Sequence, residues 1–230
     1  MARSRIVRDI DFNVNGTSSQ EAVSKIRDWA LGTAFNNPQD TLTFNRTAII
    51  AVYNEDSSGG SIATSLSVGS QTATKLQSVL QQAGFSNEVA FFSLNEAQLT
   101  ALGENETISV TFSNANDVFT VASAVYANVR QANPVIAIDT ANGISVSGSI
   151  TLTAASEEEG VSLALMGRGD PGNWTTPTAN YTEVADLTNT GGECGLFENL
   201  TPSASSQSFQ GNISGTANRV ACILLNLRKA

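Results

Sequence analysis

The amino-acid sequence predicts an all-β protein, a jelly-roll-like antiparallel β-sandwich preceded by an N-terminal arm and a short helix. After residue 45, roughly ten apolar or alternating segments of strand length are separated by turn-forming residues. Only 14% of the 230 residues are charged, against about 25% in an average soluble domain. Ser, Thr, Asn, Gln and Gly must therefore supply most of the polar surface, as is typical of exposed sheet faces and their turns.

The first part of the chain, residues 1–45, differs from the remainder, residues 46–230, which we assign to the sandwich domain. Residues 6–14 alternate apolar and polar side chains, as an extended strand or arm does. Two interpretations of residues 1–45 stay open. They form either the first strand and a crossover helix of the domain, or an appendage that packs on a partner.

A short amphipathic helix is predicted within this first part. Residues 18–21 have the composition of a capping box, which opens helices. Val23, Ile26 and Trp29 then recur at helical spacing and form one apolar stripe. The helix is expected to fade near Gly32. Its apolar stripe is a candidate contact with a neighbouring protein.

The strands of the sandwich are predicted from residue 47 onwards. Residues 47–53 are almost continuously apolar, which is typical of a strand buried on both faces, whereas residues 107–112 alternate. Asn95 is a candidate cap for a short helix that ends at Gly103. Residues 72–80 fit either a strand or a helix. Further strands are expected over residues 62–68, 88–94, 117–129, 134–138, 144–153, 161–166, 181–187, 195–200, 206–213 and 219–227.

Two features of the second half of the chain make specific predictions. Asn142 and Gly143 form a dipeptide that is typical of hairpin turns, so the preceding strand is expected to end there. The last strand, residues 219–227, is apolar on both faces. It is therefore expected to lie centrally in a sheet that is covered on both sides. The N-terminal helix or a neighbouring subunit is the expected second cover.

The charge distribution separates the N-terminus from the rest of the chain. The net charge is -9 and the pI is about 4.4, which disfavours contact with the phosphates of nucleic acid. The first eight residues nevertheless contain Arg3, Arg5 and Arg8 and no acidic residue. This basic segment is either a solvated tail or an arm that docks on an acidic neighbour.

The sequence lacks the residue patterns of common catalytic and metal sites. It contains no histidine, which excludes Ser-His-Asp and Cys-His arrangements. No Gly-rich phosphate loop follows a strand into a helix. The acidic runs at residues 54–56 and 157–159 lack the pattern of a calcium loop. We therefore expect no enzymatic activity, no metal and no cofactor.

The two cysteines, Cys194 and Cys222, lack the short spacing of a zinc or redox motif. Cys222 lies in an apolar strand, where a buried and inert thiol is expected. A disulfide between the two requires neighbouring strands and stays an open alternative.

One loop, residues 167–180, is a candidate partner-binding loop. It contains Arg168 and Asp170 on either side of a glycine, which is the tripeptide recognised by integrins, although a Gly-rich composition is also ordinary for a loop. Trp174 follows in the same loop. Its indole is either a lid over the edge of the sandwich or an exposed anchor for a sugar or protein.

The β region resembles a jelly-roll-like module found in virion proteins of tailed phages and in environmental bacterial proteins. The most specific mark is the turn Val129-x-Gln131-x-x-Pro134, which is similar to the module's turn. The resemblance covers about residues 46–227, and the N-terminal arm and helix depart from it. The other matching segments are residues 46–52 with Glu55 and Asp56, 107–112, 121–126, 181–184 and 221–224.

This resemblance implies a non-enzymatic virion protein with no catalytic residues. The leading expectation is a capsid decoration or cement protein, whose partners are the major capsid protein or sister subunits in a homo-oligomer. Its N-terminal region would bind the shell. The alternative is a module of a phage tail or surface structure that binds a glycan or a host receptor. The first ten residues lack the apolar region of a signal peptide, and no apolar run is long enough to span a bilayer. The expectation is synthesis in the host cytoplasm, location in the virion and no membrane partner.

Overall fold

The structure is a computed structural model that describes residues 22–39, 44–57, 59–114, 118–170, 174–175, 178–203 and 205–230. Within these residues the chain is almost entirely β-structure, arranged in antiparallel sheets that pack face to face. The predicted all-β sandwich is therefore confirmed. Arg3, Arg5 and Arg8 lie outside the described residues.

Three sheets are present in this part of the chain. The central sheet consists, in spatial order, of β1 (Ser24–Leu31), β9 (Val118–Ala127), β3 (Thr47–Asp56), β7 (Phe85–Leu94) and β6 (Thr74–Ala83). The small sheet consists of β2 (Ala34–Asn36), β8 (Asn105–Phe112), β4 (Ala63–Val68) and β5 (Gln71–Thr72). The large sheet consists of β10 (Val135–Ala155), β15 (Ser206–Leu227), β11 (Val161–Arg168), β14 (Glu193–Asn199) and β13 (Thr182–Asp186), with β12 (Trp174–Thr175) paired to β15.

The central sheet is buried on both faces, as the apolar run of β3 predicts. Ile49 and Tyr53 point into a first core, which the central sheet shares with the large sheet. Ile50 and Val52 point into a second core, which is closed by the small sheet. Every residue of β3 is buried. Alternate side chains of one strand therefore stabilise two cores.

The last strand, β15, has the predicted central position, but the chain itself covers its second face. Strands β10 and β15 pair along almost their whole length, and the ribbon they form bends where Gly148 and Gly215 adopt positive φ. Beyond the bend, residues 148–155 of β10 and 206–213 of β15 pack back over the outer face of the large sheet. There Leu152 and Phe209 close a third core. The Asn226 side chain donates to the carbonyls of residues 154 and 155, which fixes the ribbon in this position. Neither a helix nor a neighbouring subunit is needed as cover.

The predicted hairpin turn at Asn142 and Gly143 is wrong. Both residues lie inside β10 and pair with Ala221 and Val220 of β15. The ladder continues past them to a register shift between Ser147 and Gly148, where Gly148 and the nearby Gly215 of β15 take positive φ.

The predicted N-terminal helix is also wrong over the residues that the structure describes. Residues 24–31 form β1, an edge strand hydrogen-bonded to β9, with two irregularities in register. Because of these irregularities, the inward-facing side chains do not follow the two-residue period of a regular strand, and the three-residue spacing of Val23, Ile26 and Trp29 resembles that of a helix. The division of the chain at residue 45 stays a prediction.

The short helix predicted after Asn95 is confirmed as α1 (Glu96–Thr100). The Asn95 side chain accepts a hydrogen bond from the Gln98 backbone N–H, and Gln98 returns one to the Asn95 backbone, so both halves of a capping box are present. The ambiguous residues 72–80 lie mainly in strand β6. Across the described residues, no helix has the length and apolar character needed to cross a membrane.

The two cysteines are unpaired and buried, and they point to opposite faces of the large sheet. Cys194 contributes to the first core and Cys222 to the third, and strand β11 lies between their two strands. Burial raises the pKa of both thiols. The open alternative of a disulfide therefore does not hold.

We expect neither thiol to react with Ellman's reagent in the native protein, because the reactive thiolate is suppressed and shielded. In denaturant both thiols should react at once. The measurement is the absorbance of the released thiolate with time. Rapid release of one equivalent from native protein would contradict this placement.

Candidate functional site

The loop predicted to bind a partner lies at one end of the large sheet, and its Arg168 side chain is buried. The Arg168 guanidinium donates to Asp170 Oδ2 at 3.3 Å and to the Ser214 carbonyl at 3.2 Å. Asp170 Oδ1 accepts the Asn218 backbone N–H at 3.2 Å. Arg168 is 1% exposed, so an integrin could not reach it without local unfolding.

Trp174 belongs to the same end of the molecule and is also buried. Its indole covers Gly211 and contributes to the third core with Met166. Its backbone N–H donates to Glu193 Oε1 at 3.0 Å. The structure therefore brings Arg168, Asp170 and Trp174 into one region, but it uses Arg168 and Trp174 for packing rather than display. Residues 171–173 and 176–177 of this loop lie outside the described residues.

The glycines of this region are required by close packing. A Cβ atom at Gly169 would lie 2.6 Å from Arg219 Nε, and one at Gly191 would lie 2.5 Å from Glu55 Cγ. At Gly192 it would overlap the Tyr53 hydroxyl and a backbone carbonyl. The Gly-rich composition therefore lets two loops pack closely against Tyr53 and Glu55 of the central sheet and Arg219 of the large sheet.

A buried ion pair joins the sheets at this end of the molecule. Arg219 Nη2 lies 2.5 Å from Glu55 Oε1 and 2.6 Å from the Gly169 carbonyl oxygen. The Asn87 amide donates to Glu55 Oε2 at 3.3 Å and to the Tyr53 hydroxyl at 3.0 Å. Burial raises the pKa of Glu55, and the Arg219 charge acts in the opposite direction. Glu55 lies near the end of β3, which runs to Asp56.

An open cleft of about 360 Å³ lies over this ion pair and is lined by residues of both the central and the large sheet and of the loops beside them. Phe85 and Val118 form its wall on the central sheet. On the opposite side lie Asp170, Thr190 and Asn218. The Arg219 guanidinium forms part of its lining and lies over the Phe85 ring, 5.1 Å from the ring centroid. We refer to this feature as the end cleft.

The N-terminal residues predicted to contact a partner lie in or against the cores. Val23 is buried in the first core, Trp29 packs against the same core, and Ile26 packs against the second. Between them, Lys25 Nζ lies 2.7 Å from Glu198 Oε2. Burial alone would lower the pKa of Lys25, but the hydrogen bonds and charges of Glu198 and a neighbouring aspartate raise it overall. These side chains therefore hold β1 in place.

Gln131, the most specific residue of the family resemblance, has a structural role. Its side-chain amide donates to the Val129 carbonyl at 2.8 Å and to the Arg46 carbonyl at 3.2 Å. Its side-chain oxygen accepts the Glu96 backbone N–H at 2.7 Å, at the start of α1. One side chain thus connects a turn, the start of β3 and the helix.

No family model, curated protein or solved structure matches the chain. The resemblance to the phage virion module therefore stays a prediction. Within the described ranges, no group of three or more His, Cys, Asp or Glu side chains is arranged to hold a metal ion.

Sequence reasoning missed the end cleft. Phe85 lies far in the sequence from the adjacent residues Asn218 and Arg219, and only the packing of the sheets brings these two segments together. The one available signal was the density of glycines around residues 167–169 and 191–192, which indicates close approach of backbone to other groups.

Proposed function

We propose that the chain is a non-enzymatic structural protein of a virion, a capsid decoration or cement protein that binds the shell through residues 1–21. The observation that carries this proposal is the fixed point at which the chain enters the sandwich. The Val23 backbone N–H donates to the Glu159 carbonyl at 2.7 Å, and the Asn128 side chain donates to the Ala22 carbonyl at 3.1 Å. Ala230 donates to the Asn128 carbonyl at 2.8 Å. Residue 22 and the C-terminus are therefore held at the same end of the body.

Charge supports an acidic partner for the segment that precedes this point. Arg3, Arg5 and Arg8 occur in a chain whose net charge is -9. A sister subunit, or a shell protein of similar charge, attracts such a segment, and this interaction weakens with salt. The same net charge disfavours nucleic acid as the partner.

The body has the internal ties expected of a scaffold. Arg46 forms an ion pair with Glu96 at 2.6 Å, which joins β3 to α1. Lys25 and Glu198 join the edge strand β1 to the large sheet. These two ion pairs connect different layers of the fold and favour a rigid body. A rigid body suits the proposed role, in which residues 1–21 make the contact with the shell.

A truncation tests the proposal, and the structure decides where to cut. Because β1 starts at Ser24, removal of residues 2–21 keeps every described strand in the chain. We expect the truncated chain to keep its circular dichroism spectrum and thermal midpoint, and to lose co-sedimentation with particles stripped of this chain.

Charge variants serve as matched controls for the truncation. Replacing Arg3, Arg5 and Arg8 together by lysine should preserve binding at low salt, whereas replacing them by glutamate should abolish it. Co-sedimentation of the truncated chain at the full-length level would overturn the proposal.

A further inference from the structure

We propose that the end cleft binds a single neutral sugar residue, such as the terminal hexose of a glycan. This binding function goes beyond the shell-binding role and does not depend on it. Three properties of the cleft carry the inference: its size and preformed shape, its aromatic wall beside unused hydrogen-bonding groups, and the internal neutralisation of its charges.

The cleft has the size and rigidity of a small-ligand site. Its volume of about 360 Å³ falls at the lower end of the roughly 300–1,000 Å³ that is usual for such sites. Its floor is the Glu55–Arg219 ion pair, with side chains 6% and 8% exposed. The loops carrying Gly169 and Gly191 pack directly onto that pair. A ligand therefore meets a preformed surface and little entropy is lost in ordering it.

The wall of the cleft offers an aromatic face. Phe85 is 48% exposed and lines the cleft. A sugar ring presents a face of C–H groups that packs against an aromatic ring, with hydroxyl groups around its rim. Arg219 covers one face of the Phe85 ring. A sugar therefore packs against the part of the ring that stays exposed, with its hydroxyls close to the guanidinium.

The polar groups of the cleft include donors that the fold leaves unused. Among the described residues, Arg219 donates through Nη2 to Glu55 and Gly169, and no partner is found for Nη1. The Asn218 side chain is exposed and has no internal hydrogen bond in this part of the chain. A few such groups beside an apolar wall are the usual composition of a specific small-ligand site.

The charges of the cleft cancel in pairs, and this selects a neutral ligand. The Arg219 cation is paired with Glu55 at 2.5 Å, and the Asp170 carboxylate with Arg168 at 3.3 Å. An acidic sugar would meet two carboxylates whose counter-charges are already engaged. A neutral sugar can accept from Arg219 or Asn218 and donate to Asp170 without separating either pair.

A glycan array tests the proposal with matched aromatic variants. The probes are glycans ending in glucose, galactose, mannose, N-acetylglucosamine or sialic acid, presented to the full-length chain. We expect binding to at least one neutral terminus, with the apparent affinity reduced about tenfold or more in Phe85→Ala. The control is Phe119→Ala, because Phe119 is 36% exposed but stacks on Phe112, away from the cleft. This control should bind as the wild type does.

Three outcomes overturn the proposal: no glycan bound by the wild type, binding confined to sialylated glycans, or equal binding by wild type and Phe85→Ala. Asn218→Ala provides a second variant that changes only an exposed side chain, and it should also weaken the neutral-sugar signal. Co-sedimentation of Phe85→Ala with stripped particles should be unchanged. Failure of sugar binding is thus distinguishable from failure of the shell-binding role.

Discussion

Replacing Arg219 by alanine is expected to destabilise the protein by about 3–5 kcal/mol at pH 8, the cost typical of removing one partner from a buried ion pair. In the variant, the Glu55 carboxylate stays buried near the end of β3, without its counter-charge. Asn87 then supplies its remaining hydrogen bond from a side chain. This one hydrogen bond does not compensate for the hydration that the Glu55 carboxylate loses on folding, because the Arg219 charge is no longer present. The unfolded chain solvates Glu55 fully and gains in relative stability.

The loss should shrink as the pH falls. Burial already raises the pKa of Glu55 in the wild type, and removal of Arg219 raises this pKa further. A carboxyl group whose folded pKa exceeds its unfolded value of 4.5 costs stability above that value, and the cost disappears below it. Urea unfolding should therefore show a large difference between variant and wild type at pH 8 and a small one at pH 4.

Two control variants separate charge burial from loss of packing. Arg130→Ala removes an exposed arginine and should change stability by less than about 0.5 kcal/mol. The double variant Glu55→Gln/Arg219→Ala lacks the orphaned charge and should regain a substantial part of the loss. If Arg219→Ala costs less than about 1 kcal/mol at pH 8, or if the double variant is no more stable than the single one, the ion pair lacks the assigned role.

Burial on both faces is the part of this fold that the sequence predicts well. In β3 and β15, apolar side chains occupy both sets of alternating positions, and each set lies in a different core. Such a pattern can be recognised from a short stretch of sequence, because the hydrophobic effect is non-directional and favours burial of an apolar side chain under any apolar layer. The identity of the covering layer is a long-range property, and the prediction for β15 was wrong on that point.

Strand β1 shows why local spacing fails at an edge. Val23, Ile26 and Trp29 are three residues apart, as on one face of a helix, but in the structure they pack against two different cores. The register irregularities between Lys25 and Ala30 break the two-residue period of a strand. Pairing with β9, which lies about a hundred residues away in the chain, overrides the helical pattern.

The bent ribbon gives a second example. Asn142 and Gly143 suit a hairpin turn, yet they continue β10 because they and the residues on either side of them, 141 and 144, all pair with residues of β15. The ribbon bends near Gly148 of β10 and Gly215 of β15, both of which take positive φ. A glycine in a strand pattern indicates a bulge or bend, but the sequence alone does not rank one glycine above another.

The end cleft could not be predicted because its chemistry is assembled from distant segments. Glu55 and Arg219 are 164 positions apart, and neither lies in a recognisable motif. The motif that did stand out, around Arg168 and Asp170, forms one wall of the cleft through Asp170 and buries the arginine. The composition thus drew attention to a segment that lines the cleft through Asp170, whereas the Arg168 side chain of the same segment is buried.

Replacing Glu88 by glutamine is expected to stabilise the protein above neutral pH, by about 1–3 kcal/mol at pH 8. Glu88 is 1% exposed. Its Oε2 accepts the Ala63 backbone N–H at 2.7 Å, and no hydrogen-bond partner for its Oε1 is found among the described residues. Burial raises the pKa of Glu88 from 4.5 to about 7, although the Ala63 hydrogen bond and the Lys75 charge lower it in part. At pH 8 the folded protein therefore holds a poorly solvated carboxylate.

The pH dependence follows from the difference between the folded and unfolded pKa values. Between pH 4.5 and about 7 the folded state binds the Glu88 proton more tightly than the unfolded state does, so the contribution of this group to stability falls as the pH rises through that interval. A glutamine offers the oxygen acceptor and the hydrogen-bond donor of a protonated carboxyl at every pH. The free energy of unfolding of the variant should therefore equal that of the wild type near pH 4.5 and exceed it at pH 8. Loss of the attraction between Lys75 and the Glu88 carboxylate reduces this gain in part.

Urea unfolding of wild type and Glu88→Gln from pH 4.5 to 8 measures this effect, with Glu104→Gln as the control at an exposed carboxylate. The control should follow the wild type within about 0.5 kcal/mol at every pH. Parallel curves for wild type and Glu88→Gln would contradict the prediction, because they would mean that Glu88 titrates alike in both states. The expected result is a gain in the free energy of unfolding of Glu88→Gln that appears only at high pH. Such a gain would assign the pH dependence to the contact between β7 and β4, where the Ala63 backbone N–H donates to Glu88. That contact joins the central sheet to the small sheet, so the same substitution should also slow hydrogen exchange of the small sheet's amides at pH 8 and leave it unchanged near pH 4.5.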